Sequence, residues 1–360
     1  MTNGQTRRGI LRRGGAGLAA IGTTALAGCA SELPLIGDGD GDEDDSEPAI
    51  EAWLTDPEPA DFLRESYEVR DREFRERNFR YQDPSVVFDN DDRLSYDDLW
   101  GRLVRDAVNV PAMDLDWQLV QHVDWWLDLV HTDSGANVTE RVRPEVHVLA
   151  GSLDPDAIAA HLEDESTGDV VAAGTAHGFD LYELGSFRFA LRDDFAVRTL
   201  SDVWIDSDAV LEYVLAARWD GGDSDGPRRW ADDDHAGPLL AERGSGQFSN
   251  AAVFPPRDPT EEPAYDWEWQ TGLVGTARSL AVDGETTTVT DAFCYESADD
   301  AALDALEGFV ETNRDIDDGA FPTLEEYTVE RSSDAESVLV LTGTARTSAI
   351  VGSNGPEPDA

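Results

Sequence analysis

The chain has 360 residues, of which 29% are charged, and its 76 acidic and 27 basic residues give a formal net charge of −49. Every basic residue is arginine, because the sequence contains no lysine. The charge disfavours binding to nucleic acid or to an anionic surface, and the lack of lysine excludes a phosphate-binding loop of the Walker type.

The first 28 residues contain the three parts of an export signal. A basic head with Arg7 and Arg8 precedes a weakly apolar run over 18–26, and small residues precede Cys29. A membrane-spanning helix needs about 20 apolar residues, whereas this run is shorter and contains glycine and threonine. We therefore expect an export signal rather than a membrane span.

Two short motifs in this segment resemble known signals. The Arg7-Arg8 pair followed by Ile10-Leu11 resembles a twin-arginine signal, which commonly moves folded cargo. Leu26-Ala27-Gly28-Cys29 resembles a lipobox, which implies cleavage before Cys29 and attachment of a lipid to its sulfur. With the acidic, lysine-free composition, the chain is similar to haloarchaeal exported lipoproteins of uncharacterised function. The resemblance implies a lipid-anchored protein on the extracellular face of the cell membrane, and it implies no reaction.

The mature chain is expected to be a halophilic protein on a short tether. Removal of residues 1–28, which contain four arginines and no acid, lowers the net charge from −49 to −53. Such self-repulsion destabilises a compact state, but molar salt reduces the screening length to about 3 Å. Residues 29–50 are predicted to be an acidic disordered tether, because like charges repeat through 37–47 and cannot form a core.

Residues 51–111 are predicted to form a helical N-terminal segment. Between Pro59 and Arg80, apolar side chains recur on one side of a helix, and arginine and glutamate recur at three- or four-residue spacing. A second helix is predicted at Tyr96–Asn109, which ends before Pro111.

Residues 112–243 are predicted to be a first α+β half. The stretch 115–131 fits both a strand and a helix, and we favour a strand over 122–131, followed by a second strand at Val142–Ala150. The intervening turn contains the sequon Asn137-Val138-Thr139. Asn137 is therefore a candidate for glycosylation on an exported protein, and the alternative is an ordinary polar loop.

Helices with a capping residue before them are predicted to follow β-like runs. They are expected at 155–163 after Asp154, at Asp208–Trp219 after Asp206 or Ser207, and at Ala298–Asn313 after Ser297. Short strands are predicted at Phe179–Leu184, Phe187–Leu191 and Phe195–Leu200. The Gly-, Asp- and Pro-rich residues 220–238 are predicted to be a long loop.

Residues 244–266 are predicted to be a linker loop before a second α+β half over 267–350. Asp283-Gly284 is a strong hairpin signal and predicts a turn between strands at Thr271–Val282 and Glu285–Glu296. The remaining predictions are a final hairpin at Tyr327–Ser332 with Ser337–Ala345 and a disordered tail over 351–360.

Antiparallel hairpins interspersed with a few capped helices predict an α+β fold rather than a wound parallel sheet. The halves 112–243 and 267–350 each contain strands, a capped helix and further strands. This order suggests two halves related by a distant duplication, although the spacing is too irregular for a repeat.

No catalytic, cofactor or metal motif is apparent. Arg243-Gly244-Ser245-Gly246 lacks the first glycine of a hydrolase elbow. The six histidines include no pair at a spacing of two or four, which leaves open a site between strands, for example with His131 and His147. Paired carboxylates cannot be singled out among 76 acids. We therefore predict no catalytic residue, cofactor or metal, and favour a protein that is not an enzyme.

Two adjacent tryptophans provide a candidate contact with a ligand. On a strand, successive side chains point to opposite faces, so either Trp125 or Trp126 faces away from the core. An outward indole could stack on a ligand such as a sugar ring, and the alternative is that both tryptophans fill the core.

Three functions are compatible with these features. We favour a lipid-anchored extracellular lipoprotein that acts as a non-enzymatic binding or envelope-associated module, with an envelope protein or a small solute as partner. The alternatives are the solute-binding lipoprotein of a transport system and an extracellular hydrolase. The sequence does not identify the ligand.

Overall fold

In the part of the chain that the structure describes, thirteen antiparallel strands joined in one sheet make up most of the fold. Their bounds are β1 (Tyr67–Gln82), β2 (Leu115–His131), β3 (Asn137–Val142), β4 (Glu145–Gly151), β5 (Val170–Ala176), β6 (Phe179–Leu184), β7 (Phe187–Leu191), β8 (Phe195–Leu200), β9 (Phe248–Val253), β10 (Leu273–Asp283), β11 (Thr286–Tyr295), β12 (Leu324–Arg331) and β13 (Val338–Arg346). The strand order is β12-β13-β11-β10-β9-β1-β2-β4-β8-β7-β6-β5, and β3 pairs with β2 outside this path. The mostly antiparallel, β-rich architecture agrees with the predicted α+β class.

The structure is a computed structural model that describes residues 50–86, 110, 114–165, 170–200, 203–219, 227–256, 268–313 and 323–350. The export signal, Cys29, residues 29–49 of the predicted tether, the predicted helix at Tyr96–Asn109 and the predicted tail lie outside these ranges. The last residue of the predicted tether, Ile50, is instead buried in a 3₁₀ turn at Ile50–Trp53. Among the residues described, no helix is both long and apolar enough to cross a membrane.

Within the described ranges, five α-helices lie on the sheet, besides the two helical residues Ser85 and Val86. They are α1 (Pro59–Phe62), α2 (Pro155–Glu165), α3 (Ser207–Trp219), α4 (Ala236–Glu242) and α5 (Leu303–Asn313). The predicted caps of α2 and α3 are confirmed, because Asp154 Oδ1 accepts a hydrogen bond from the amide of Ala157 at 3.0 Å and Asp206 Oδ1 accepts one from the amide of Asp208 at 3.1 Å.

One face of the sheet, which we call the front, is covered by α1, α3 and α4. A single apolar cluster runs along it from Val197 on β8, through Leu119 on β2 and Phe79 on β1, to Val340 on β13. The front face therefore holds a core that is continuous across the sheet.

The opposite face, the back, carries two separate apolar clusters. One lies under α2 and includes Leu149 and Phe189, and the other lies under α5 and includes Phe248 and Phe293. Between the clusters, the back-face positions of β1 and β2 are mostly polar. We call these positions the polar strip: Glu76, Asn78, Arg80, Gln82, Gln118 and His122.

The helical segment predicted over 51–111 is wrong where the structure describes it. Only Pro59–Phe62, Ser85 and Val86 are α-helical, and Tyr67–Gln82 forms β1. Two irregularities in the pairing of β1 with β2, at Val69/Asp71 and Phe74/Glu76, each shift the register. A bulge inserts an unpaired residue. The front-facing residues of β1 are therefore odd-numbered before the first bulge, even-numbered between the two bulges and odd-numbered after the second. The strict alternation of apolar and polar residues that identifies a strand in a sequence is interrupted as a result.

The linker predicted over 244–266 is also wrong, because Phe248–Val253 forms β9 in the middle of the sheet, between β1 and β10. Its small residues Ser249, Ala251 and Ala252 gave little strand signal, but they are buried where neighbouring strands and α4 pack closely. The two predicted halves thus contribute to one continuous sheet.

Three smaller predictions also need correction. The strand predicted at Val142–Ala150 is divided between β3 and β4 at Arg143-Pro144, since proline lacks the amide hydrogen that a ladder needs. The predicted loop 220–238 contains a 3₁₀ turn at Trp230–Asp232 and the start of α4. The helix expected from Ala298 begins only at Leu303; the Ser297 hydroxyl instead donates to Asp300 at 2.5 Å.

The short strands and hairpins were predicted well. The strands β6, β7 and β8 have the expected bounds. The turn at Asp283-Gly284 joins β10 to β11, with φ of Gly284 at +60°, a left-handed conformation that glycine adopts without strain. The final hairpin of β12 and β13 is confirmed.

Candidate ligand-binding surface

Polar and aromatic side chains form a continuous surface on the back face, where β1, β2 and β3 lie side by side. The strand β2 is paired with β1 along most of its length, with β4 through its first half and with β3 through its second half. Its back-face residues therefore extend from His122, which lies in the polar strip at the inner end of this surface, to Asp128, which lies at its exposed outer end.

At the inner end, His122 connects β1 with the turn before β4. Arg143 Nη2 donates to His122 Nδ1 at 2.7 Å, so the proton of the neutral imidazole lies on Nε2, which faces Glu76 Oε1 at 3.5 Å. Burial lowers the pKa of His122, although the hydrogen bond to Glu76 acts in the opposite direction. Burial raises the pKa of Glu76, but hydrogen bonds from His122 and Asn78 outweigh it, so that pKa lies below its ordinary value.

The second histidine of this region, His147, makes a similar pair on β4. Its Nε2 lies 2.5 Å from Glu145 Oε1, which we interpret as an Nε2–H donor. Arg198 Nη2, 3.2 Å from the same nitrogen, then finds no lone pair there. Burial lowers the pKa of His147, and the hydrogen bond from His147 is the main reason that the pKa of Glu145 is lowered to about 2.

These contacts give each imidazole a carboxylate partner, whereas Nδ1 of His147 is buried without a hydrogen-bond partner among the described residues. We call the group the histidine cluster: Glu76, His122, Arg143, Glu145, His147 and Arg198. Each histidine is only 8% exposed and is neutral near pH 7, because its pKa is lowered. The cluster can take up protons when the pH falls, and that protonation would place positive charge beside two arginines.

At the outer end, Trp126 is the one tryptophan side chain that is strongly exposed among the residues described, at 38%. Its neighbours across the strands are Glu73 on β1 and Arg141 on β3. Asp124 and Asp128 lie two residues before and after it on β2, on the same face. We call this group the Trp126 patch: Glu73, Asp124, Trp126, Asp128 and Arg141.

The polar members of the Trp126 patch are each fixed by one neighbour. Arg141 Nε donates to the buried carboxylate of Asp124 at 2.8 Å, and the same interaction raises the pKa of Arg141. The Thr139 hydroxyl donates to Asp128 at 2.6 Å. Arg141, which is 49% exposed, and Asp128, which is exposed, keep atoms that face solvent, whereas Asp124 is buried.

The structure distinguishes the two adjacent tryptophans. Trp125 is 7% exposed and packs edge-on against Phe74, with the ring centroids 5.3 Å apart. Trp126 points to the opposite face, as the strand alternation required. Asn137 is exposed at the start of β3, where it pairs with Val130, and its glycosylation stays a prediction.

The proposed combination of His131 and His147 does not occur. His131 ends β2 and packs against Tyr67, whereas His147 pairs with Val120 near the other end of that strand. Within the described ranges, no three histidine, cysteine, aspartate or glutamate side chains are arranged to hold a metal ion.

Sequence reasoning missed Glu76, Glu145, Asp124 and Arg141. The only local signal was Glu145-Val146-His147, which places a carboxylate and an imidazole on the same face of a strand. Asp124 and Arg141 also lie across one hairpin, but the pairing of β2 with β3 becomes apparent only once its register is known.

Comparison with known proteins gives little further information. No family model matches the chain, and no curated protein matches it. Among solved structures, crystal form III of TP0453 aligns with a TM-score of 0.42 and 10% identity over 76% of this chain and 92% of that chain. Crystal form I of TP0453 gives 0.40 and 10% over 77% and 92%. At this identity and TM-score, the likeness carries no argument about fold or function.

Proposed function

We propose that this protein is a lipid-anchored binding module on the extracellular face of the cell membrane, and that the Trp126 patch is its contact surface. The twin-arginine motif at Arg7-Arg8 and the lipobox that ends at Cys29 support the location. The arrangement of the described strands supports the contact surface. A small solute or an envelope protein is the expected partner.

The exposure of Trp126 is the observation that carries this proposal. Trp53, Trp117 and Trp230 are each less than 5% exposed, so the fold has room to bury indole rings. Trp126 instead faces solvent among polar groups that are already fixed in position. Aromatic side chains surrounded by polar groups are enriched at binding surfaces, because they provide a large contact area at little entropic cost.

The alternatives receive less support from the geometry. Solute-binding components commonly have two α/β lobes, whereas the described strands form one antiparallel sheet. A hydrolase would be favoured by a histidine or carboxylate cluster that lines a cleft. In the histidine cluster, each imidazole is almost fully buried and already hydrogen-bonded to a carboxylate or a guanidinium group.

A ligand screen by thermal shift tests the contact surface. Full-length protein, solubilised in detergent and molar potassium chloride, is screened against sugars, amino acids, peptides and divalent metals. A ligand at 100 times its dissociation constant stabilises the fold by about 2.7 kcal/mol. We expect a shift that Trp126→Ala abolishes and that Val171→Ala retains, because Val171 is an exposed apolar residue on β5, far along the sheet from Trp126. A ligand shift that Trp126→Ala leaves unchanged would place binding elsewhere.

Membrane fractionation tests the anchor. We expect Cys29→Ser to release the protein from the membrane or to leave it unprocessed, because the serine hydroxyl cannot replace the lipidated sulfur. Arg7→Lys with Arg8→Lys serves as the control for export, since it changes the paired arginines and retains the cysteine. A processed, membrane-bound Cys29→Ser variant would refute lipid anchoring.

We further propose that the halves 112–243 and 267–350 descend from a duplication. Each half places a helix over an apolar cluster on the back face, α2 in the first and α5 in the second. Superposition of β4–α2–β8 on β11–α5–β13 tests this idea, and a mismatch in the position or direction of the helix relative to the two paired strands would contradict it.

A further inference from the structure

We infer that the Trp126 patch binds a neutral pyranose ring of a carbohydrate, which stacks on the indole of Trp126 while its hydroxyl groups contact Arg141 and Asp128. This inference rests on the proposed function, because it names the ligand class of the same surface. The proposed function gives the contact surface, and this inference adds the chemical groups of the ligand that the surface recognises.

The stacking surface is available. Among the described residues, no aromatic ring and no guanidinium group lies over the ring of Trp126, in contrast to Trp125, which has Phe74 at 5.3 Å and Arg72 at 5.7 Å. A pyranose presents a face of C–H groups, which suits the electron-rich face of an indole. It also carries hydroxyl groups at its rim, where polar partners are needed.

The polar groups beside Trp126 can form hydrogen bonds with the hydroxyl groups at the edge of a pyranose ring. Arg141 uses Nε and Nη2 to bind Asp124, and its remaining N–H groups are donors next to the indole. Asp128 and Glu73 supply carboxylate acceptors on the same face. A hydroxyl group can both donate and accept, so neighbouring hydroxyls of one sugar can contact a guanidinium and a carboxylate together.

The charge around the patch disfavours an anionic ligand. Three carboxylates and one guanidinium group surround Trp126, so the preference for a neutral ring over a cation depends on the hydroxyl contacts and is tested by choline below. The overall charge of −49 disfavours a polyanion. The guanidinium group of the Trp126 patch, that of Arg141, is already paired with Asp124.

The geometry is also preorganised. Trp126 lies in the middle of a strand paired on both sides, to β1 and to β3. Arg141 is fixed by a carboxylate that is only 3% exposed, and Asp128 is fixed by Thr139. Because these side chains are already ordered, binding loses little side-chain entropy.

Isothermal titration of full-length protein in detergent and molar potassium chloride tests the inference. The probes are maltohexaose and cellohexaose as neutral pyranoses, trigalacturonate as the acidic form and choline as a cation. We expect saturable binding of at least one neutral oligosaccharide, weakened about tenfold or more by Trp126→Ala. Trp126→Phe should retain part of the affinity, Arg141→Met should weaken binding several-fold, and Val171→Ala should leave it unchanged.

Each result has a defined meaning. If neither neutral oligosaccharide binds, or if binding is unchanged in Trp126→Ala, the pyranose inference is overturned. Preference for choline or trigalacturonate, lost in Trp126→Ala, would overturn the neutral-sugar inference but leave the Trp126 patch as the contact surface. If the wider ligand screen also shows no effect of Trp126→Ala, the proposed function fails as well. Circular dichroism of each variant in the same salt confirms that it is folded.

Discussion

The front and back faces of the same strands are used in different ways. On the front, residues such as Phe79 and Leu119 join one apolar cluster that extends across the sheet. On the back, the same strands place His122 and Gln118 between two separate apolar clusters. Since adjacent residues of a strand point to opposite faces, one segment such as β2 contributes both to the core and to an exposed ligand surface. The comparison indicates that a continuous core on the front allows the middle of the back face to remain polar between its two apolar clusters.

Many buried polar groups of the back face are paired, although Asp124 Oδ1 and His147 Nδ1 have no hydrogen-bond partner among the described residues. Gln118 Nε2 donates to Gln82 Oε1 at 3.0 Å, and Arg278 donates to both oxygens of Asp291 at 2.6 and 2.8 Å. A buried polar group without a partner costs about 1–3 kcal/mol, and more if it is charged. A substitution in the apolar core of the front face should therefore lower stability by leaving a cavity. A substitution among the buried polar groups of the back face should lower it by leaving one member of an ion pair or hydrogen bond without its partner.

The largest effect is expected on the front face. Phe79 is fully buried and packs edge-on against Trp230, with the ring centroids 5.4 Å apart. Phe79→Ala should lower the free energy of unfolding by about 3–5 kcal/mol, because it leaves a cavity in the continuous cluster. Urea unfolding in molar potassium chloride measures this change. A loss below about 1 kcal/mol would contradict the view that Phe79 is part of a tightly packed core on the front face.

On the back face, Asp291→Ala should lower the free energy of unfolding by about 3 kcal/mol. The Arg278 side chain is 7% exposed, and the change removes its bidentate carboxylate partner from a buried site. Adding Arg278→Met to Asp291→Ala should recover part of the loss, because the buried charge is then removed as well. The two variants are compared by the same urea titration; a double variant less stable than Asp291→Ala would show that broken pairing is not the cause.

Acid should destabilise the back face through the histidine cluster. The folded-state pKa values of His122 and His147 are lowered, chiefly by burial. Protons therefore bind the unfolded state more readily, and stability falls as the pH drops below about 6.5. The pKa of Glu145 is lowered from 4.5 to about 2, so its contribution is present above pH 4.5 and is lost between pH 4.5 and about 2.

Urea unfolding at a series of pH values checks this prediction. His147→Gln removes one titrating imidazole and the hydrogen bond that mainly lowers the Glu145 pKa. It should therefore flatten the dependence of unfolding free energy on pH in both windows. His161→Gln is the matched control, because His161 lies on α2 outside the cluster. An equal slope in wild type and His147→Gln would contradict a role of the cluster in acid sensitivity.

The smallest effect on stability is expected at Trp126. Its side chain is 38% exposed, so Trp126→Ala should change the free energy of unfolding by about 1 kcal/mol or less. The difference between the unfolding free energies of Trp126→Ala and Phe79→Ala distinguishes an aromatic residue that contacts a ligand from one that packs in the core. A loss as large as that of Phe79→Ala would indicate that Trp126 is a structural residue.

Local patterns in the sequence predicted the short elements reliably. Turn chemistry at Asp283-Gly284 and the closely spaced apolar runs of β6 to β8 are signals within about twenty residues, and their strands formed as expected. The caps before α2 and α3 are local in the same sense. By contrast, β1 was predicted as a helix, since two bulges conceal its alternation, and β9 was predicted as a linker, since its small residues are explained only by close packing.

The sequence by itself determined the local turns, the capped helices, the export and lipid motifs as expectations, and the fact that one of two adjacent tryptophans must face away from the core. Only the tertiary structure decided that this residue is Trp126 and that Asp124 fixes Arg141 beside it. The same holds for the pairing of His122 with Glu76. The physical reason is that β1, β2 and β9 pair across 36 or more positions of chain, as Gln118 and Gln82 do. The register of such distant strands depends on the packing of both faces, which no local segment encodes.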